Sequence, residues 1–272
     1  MKGQKMTLKE IAQLALAEDA CPIPIDKCRS PNGPANCRVH CVEYFDRLCD
    51  SVTFEEAAKG LKDQFNVDCV PLEDLSKVVK DPQLVAEVNK RAHATTPEDF
   101  HRACKSLYVC MSDLKSRFPD IQFPQKGLCI GGIPNNENDV LLSTVDSTFG
   151  GMGMIILSGT RLKSDNRGYY FGHFDARNQS DLIRHEIGHW ITDKAKLTIF
   201  RRLINAVTKI KPSEDVGKKL KTNVSDYAAE SFSAEDDKEV VAEIFSKYTS
   251  PDYQKGNLDI VLEIFVENQL LK

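Results

Sequence analysis

The segment Asp181-Leu-Ile-Arg-His185-Glu186-Ile-Gly-His189-Trp190 sets two histidines four residues apart, with a glutamate directly after the first. This is the HExxH pattern, and its chemistry follows from helix geometry. Residues i and i+4 share one face a turn apart, so both imidazoles can reach a single ion. Glu186, next to the first ligand, points to the side of that ion, where it can take a proton from an activated water and pass it to a leaving amine. A zinc ion would lower the pKa of the water toward about 7 and polarise a scissile carbonyl.

A catalytic zinc requires a third protein ligand and one open position. A third histidine six residues on is excluded, because Thr192 and Ala195 stand where the extended motif needs glycine and histidine. An acid from a later helix is the remaining source. Lys238-Glu239-Val-Val-Ala-Glu243-Ile-Phe245 offers two, again one turn apart with apolar residues between them. Acids on a partly buried helix are costly unless paired or metal-bound. Glu239 can serve as the ligand while Glu243 accepts a hydrogen bond from the outer nitrogen of His185, as carboxylates behind ligand histidines do.

These pieces resemble the gluzincin metallopeptidases, the group that includes thermolysin, and within them the lethal-factor-like branch of bacterial toxins. The matching residues are His185-Glu-Ile-Gly-His189-Trp-Ile-Thr-Asp193, Ser225-Asp-Tyr227-Ala, and Glu239-Val-Val-Ala-Glu243-Ile-Phe, in that order. The match runs from about Tyr169 to Phe245 and is silent on residues 1–120. The resemblance implies that Glu239 is the third ligand and Glu243 its supporting carboxylate. It implies that the Tyr227 hydroxyl stabilises an oxyanion, and that Asp193 has a supporting role on the active-site helix. It also implies an endopeptidase acting on a protein or peptide, plausible as an effector or toxin. A second class stays open: a structural or interaction protein, such as a virion or secretion component, using the same scaffold with little or no turnover. Retention of Glu186 and Tyr227 favours the enzyme.

Several elements must position these groups. Leu182, Ile183, Ile187, Trp190 and Ile191 give the HExxH helix an apolar side. Ser180 or Asp181 can cap its start. Gly188 costs about 1 kcal/mol relative to alanine in a helix, which points to a close approach by other backbone. Strands are expected at Leu128–Gly131, Val140–Val145, Met154–Ser158 and Tyr169–Phe174, with Gly150 to Gly153 forming a turn or flap. His173, on the last of these, can line a substrate cleft if that strand binds an extended peptide by strand addition. A structural histidine is an equal alternative. From Asp181 onward the pattern is helical.

Ahead of this region, helices are expected at about Thr7–Glu18, Arg38–Cys49, Thr53–Gln64, Pro82–Ala92 and from Thr96 on. The Pro-rich run Phe118–Gln125 reads as a linker or an edge crossing. The expected architecture is α+β: a helical, Cys-rich region over 1–120, for recognition or assembly, followed by a zincin-like domain over 121–272, with a small sheet packed on the active-site helix.

With 41% hydrophobic and 28% charged residues the chain has the composition of a globular protein. Its net charge of −4 gives no support for nucleic-acid binding. No apolar run reaches the roughly 20 residues of a membrane span, and the charged interruptions near Ile11–Ala17 argue against a cleaved signal peptide. The expectation is a cytoplasmic protein or one exported without such a signal. Nine cysteines, an odd number, all precede residue 130 and suggest mostly reduced thiols. Cys21, Cys28, Cys37 and Cys41, with His40 among them, can hold a second, structural zinc, although their spacing fits no common finger; reduced thiols or disulfides are the alternatives.

Overall fold

The computed structural model describes residues 45–135, 141–146, 152–158, 179–192, 197–209, 215–250 and 258–268. His173, Asp193, the four early cysteines Cys21, Cys28, Cys37 and Cys41, and the expected helix at Thr7–Glu18 lie outside them.

After a helical segment at 45–50, the elements in chain order are α1 (Phe54–Phe65), β1 (Val67–Pro71), α2 (Leu75–Val78), α3 (Pro82–Arg91), β2 (Ala92–His93) and α4 (Pro97–Arg117). Then come β3 (Gly127–Gly131), β4 (Ile133–Pro134), β5 (Leu141–Asp146) and β6 (Met152–Leu157). Among the described residues six helices follow: α5 (Gln179–Thr192), α6 (Leu197–Thr208), α7 (Val216–Asn223), α8 (Asp226–Ser233), α9 (Asp237–Thr249) and α10 (Leu258–Glu267). The class is mixed α+β, mostly helical around a small sheet.

The helix starts follow local chemistry. Thr53 and Glu56 form the reciprocal capping box of α1, with both backbone–side-chain bonds at 3.1 Å. Asp81 caps α3 and Thr96 caps α4, each ahead of a proline at the first helical turn.

The main sheet has the order β1-β3-β6-β5; β1, β3 and β6 run parallel and β5 is antiparallel to β6. Alternation along the strands divides it into two faces. Cys129, Ile155 and Leu157 face the main core with α1, α4, α5 and α9. Leu128, Ile130, Met154 and Ile156 face a smaller cluster made with Leu75, Leu84 and Val88. Coverage on both sides explains why β3 is buried along its whole length, as parallel strands tend to be.

Several expectations are altered or narrowed. The sheet and core both cross the boundary drawn at residue 120, because β1 is the parallel partner of β3 and Phe65, Leu107 and Leu114 share one core with Ile187 and Phe245. Of the two readings of the Pro-rich run, the packed crossing holds: Ile121 is buried and Phe123 sets its ring edge-on to Phe65 at 5.4 Å. Met152 and Gly153, expected in a turn or flap, open β6. Tyr227 lies on helix α8.

Candidate metal centre

The histidines sit on α5, whose buried side packs on both the sheet and α9. Two contacts fix its position against these neighbours. Trp190 donates its indole N–H to the carbonyl of Met154 on β6 at 3.0 Å. The ring lies over Gly153, where a Cβ would come within 3.1 Å of two of its atoms. On the opposite flank, a Cβ on Gly188 would stand 3.1 Å from the Cα of Ala242 and 3.2 Å from Phe245 Cδ1. The close backbone approach expected from that glycine is thus the α5–α9 contact.

That contact brings Glu239 and Glu243 to the histidines. Glu239 occupies the first turn of α9, whose N-cap Asp236 accepts from the Glu239 N–H at 3.3 Å. One Glu239 oxygen is 3.0 Å from His185 Nε2, and the other is 3.4 Å from His189 Nε2. The two Nε2 atoms are 3.2 Å apart. One turn further, Glu243 is buried, with Oε1 2.7 Å from His185 Nδ1. Its other oxygen accepts from the hydroxyl of Ser225, which also caps α8 by accepting from the Ala228 N–H.

The electrostatics follow from this geometry. A carboxylate at Nδ1 favours the tautomer that donates from Nδ1, which leaves the lone pair of His185 on Nε2. That lone pair then faces a carboxylate oxygen and a second imidazole nitrogen, an arrangement that repels unless a proton or a cation lies among them. Without a cation, burial disfavours the charged imidazole of His185, but the bonds to Glu239 and Glu243 outweigh it and hold its pKa well above the ordinary value. Burial likewise opposes ionisation of Glu239, and the two histidines overcome it, so its carboxyl sits well below the usual range.

The donor spacing suits a small cation. Zinc with ligands about 2.0–2.1 Å away in a tetrahedron sets donor atoms roughly 3.3 Å apart. The observed separations of 3.0, 3.2 and 3.4 Å bracket that figure. Two nitrogens and a carboxylate are also a donor set that zinc accepts.

Tyr227 is half-buried, its ring centroid 6.0 Å from that of His185. Burial, then the charge of Glu239 and a hydrogen bond to it, push the phenol pKa up, so the hydroxyl remains a donor at neutral pH. Glu186 is partly accessible on α5.

Behind the site lies an ionic cluster that motif reading missed. Arg184, fully buried, pairs with Asp113 on α4 and donates to the carbonyl of Thr249 at the end of α9 at 3.1 Å. Asp181 is 3.9 Å from its Nε, and Arg117 reaches both Asp113 and the same Thr249 carbonyl. An arginine on the apolar side of a helix was the available signal, since burying its charge demands a partner. No family model, curated protein or solved structure matches the chain.

Proposed function

We propose that this chain is a zinc-dependent endopeptidase of gluzincin type, with His185, His189 and Glu239 as ligands. The observation that carries the reading is the convergence of two imidazole nitrogens and the Glu239 carboxylate, one oxygen beside each nitrogen, at separations of 3.0 to 3.4 Å between two packed helices. Zinc would supply Lewis acidity toward a peptide carbonyl and toward water.

The protein's own groups do the rest. Glu186 takes the proton of the attacking water and returns it to the departing amine. Tyr227, kept protonated by burial, donates to the oxygen on which negative charge develops. Glu243 and Ser225 hold His185 in the tautomer that directs Nε2 at the site. Among the described residues β5 is an edge of the sheet and packs beside α5, which suits an extended peptide adding as a further strand.

The test measures bound zinc and cleavage of a peptide library for wild type, Glu186→Ala and His185→Ala. Glu186→Ala should keep its zinc and lose about 100-fold or more in turnover. His185→Ala should lose one equivalent of metal. Equal zinc content in wild type and His185→Ala would sink the site, and a zinc-loaded wild type that cuts nothing would leave the scaffold reading in its place.

A further inference from the structure

A second convergence of ligand atoms lies away from the histidines. Cys69 on β1, Cys104 on α4 and Cys129 on β3 bring three sulfurs within 4.8 Å of one another. Cys69 and Cys129 are register partners on adjacent parallel strands, so they stand side by side on one face of the sheet. Cys104 descends onto that face from the helix above. All three are free thiols. Cys104 and Cys129 are fully buried in the main core, whereas Cys69 retains partial accessibility.

From this arrangement we infer that Cys69, Cys104 and Cys129 form a three-thiolate site for a thiophilic divalent cation of the zinc class, with water admitted beside the partly accessible Cys69 as the fourth ligand. It shares no residue with the histidine centre or with the sequence cluster Cys21, Cys28, Cys37 and Cys41.

Zinc–sulfur bonds of about 2.3 Å place tetrahedral sulfurs roughly 3.8 Å apart. Sulfurs within 4.8 Å reach that spacing by small side-chain rotations, with no movement of the elements that bear them. Charge selects the class of ion. Three thiolates in an apolar core carry three negative charges, and a divalent ion neutralises two of them where a monovalent one neutralises a single charge. Binding releases the thiol protons to solvent, and Cys69 provides the access path. A reduced disulfide pair would need only two of these cysteines; a metal ion uses all three. The ion would cross-link β1, β3 and α4, the helix that also presents Asp113 to Arg184.

The experiment titrates the full-length reduced protein with cobalt(II), the spectroscopic stand-in for zinc. The background carries Cys21→Ser, Cys28→Ser, Cys37→Ser, Cys41→Ser and His185→Ala, so that neither other set contributes. One equivalent of cobalt should produce a sulfur-to-cobalt charge-transfer band and the visible bands of a tetrahedral site. Adding Cys69→Ser, at the partly accessible position, should weaken binding at least about tenfold. In wild-type protein, zinc should slow alkylation of Cys69 at least about tenfold, read by mass spectrometry. That second measurement needs no variant to fold. Absence of the thiolate band, a band indifferent to Cys69→Ser, or alkylation of Cys69 unchanged by zinc would each overturn the proposal.

Discussion

Glu243 has both carboxylate oxygens engaged, one by His185 Nδ1 and one by the Ser225 hydroxyl. The ring orientation of His185 therefore depends on a serine that touches neither histidine nor any proposed ligand atom. Ser225 in turn starts the helix that bears Tyr227, so one hydroxyl links the histidine centre to the proposed oxyanion donor. Ser225→Ala removes an N-cap acceptor and leaves a buried carboxylate oxygen without this donor. Together these should cost about 2–3 kcal/mol in urea unfolding. Zinc affinity should fall about tenfold in competition titrations, the lower end expected for a supporting residue. Ser225→Thr keeps the hydroxyl and should restore most of both. An alanine variant with native zinc affinity would show that Glu243 is held well enough without the serine.

At the scale of elements, the site depends on how closely α5 approaches α9 and on what keeps the two in register. Gly188 permits the approach, and the Arg184 cluster ties α4, α5 and the end of α9 together. A buried ion pair adds little net stability relative to well-packed apolar residues, but removing one partner strands the other. Arg184→Ala should therefore cost about 3–5 kcal/mol, while the joint change Arg184→Met with Asp113→Leu should come much closer to wild type. Thermal or urea unfolding of the two proteins distinguishes these outcomes; equal losses would mean that packing volume rather than charge is what Arg184 contributes.

The same elements show which features were legible beforehand. The spacings His185–His189 and Glu239–Glu243 are local to one helix each, and Gly188 costs a helix enough to demand a reason, so all three could be read from sequence. Arg184 and Asp113 lie 71 residues apart, and no local pattern links them. Strand β1 is five residues long, Val-Asp-Cys-Val-Pro, too short and too polar to show its period. Its place at the sheet edge, where Pro71 is tolerated, emerges only from pairing with β3.

For the molecule as a whole, the continuous core across residue 120 has a consequence that can be titrated. Cys49 and Cys110 lie within it, nearly sealed from solvent, and burial pushes both thiols up to about 12. Unfolded, each would ionise near 8.5. Above that value the unfolded chain has lost thiol protons that the native chain still holds, so stability must fall as pH rises toward the native pKa. Each thiol contributes about 1.4 kcal/mol per pH unit across that window, and nothing below it. Cys110→Ala supplies the control, because it removes one titrating group while other alkaline effects stay the same. In reducing buffer, urea unfolding between about pH 8 and pH 10.5 should show wild type more stable at the start. The gap between the two proteins should then close by about 1.4 kcal/mol per unit above pH 9. A gap that stayed constant would mean that Cys110 ionises as easily in the folded protein as in the unfolded chain, and that the core between α4 and α5 admits water.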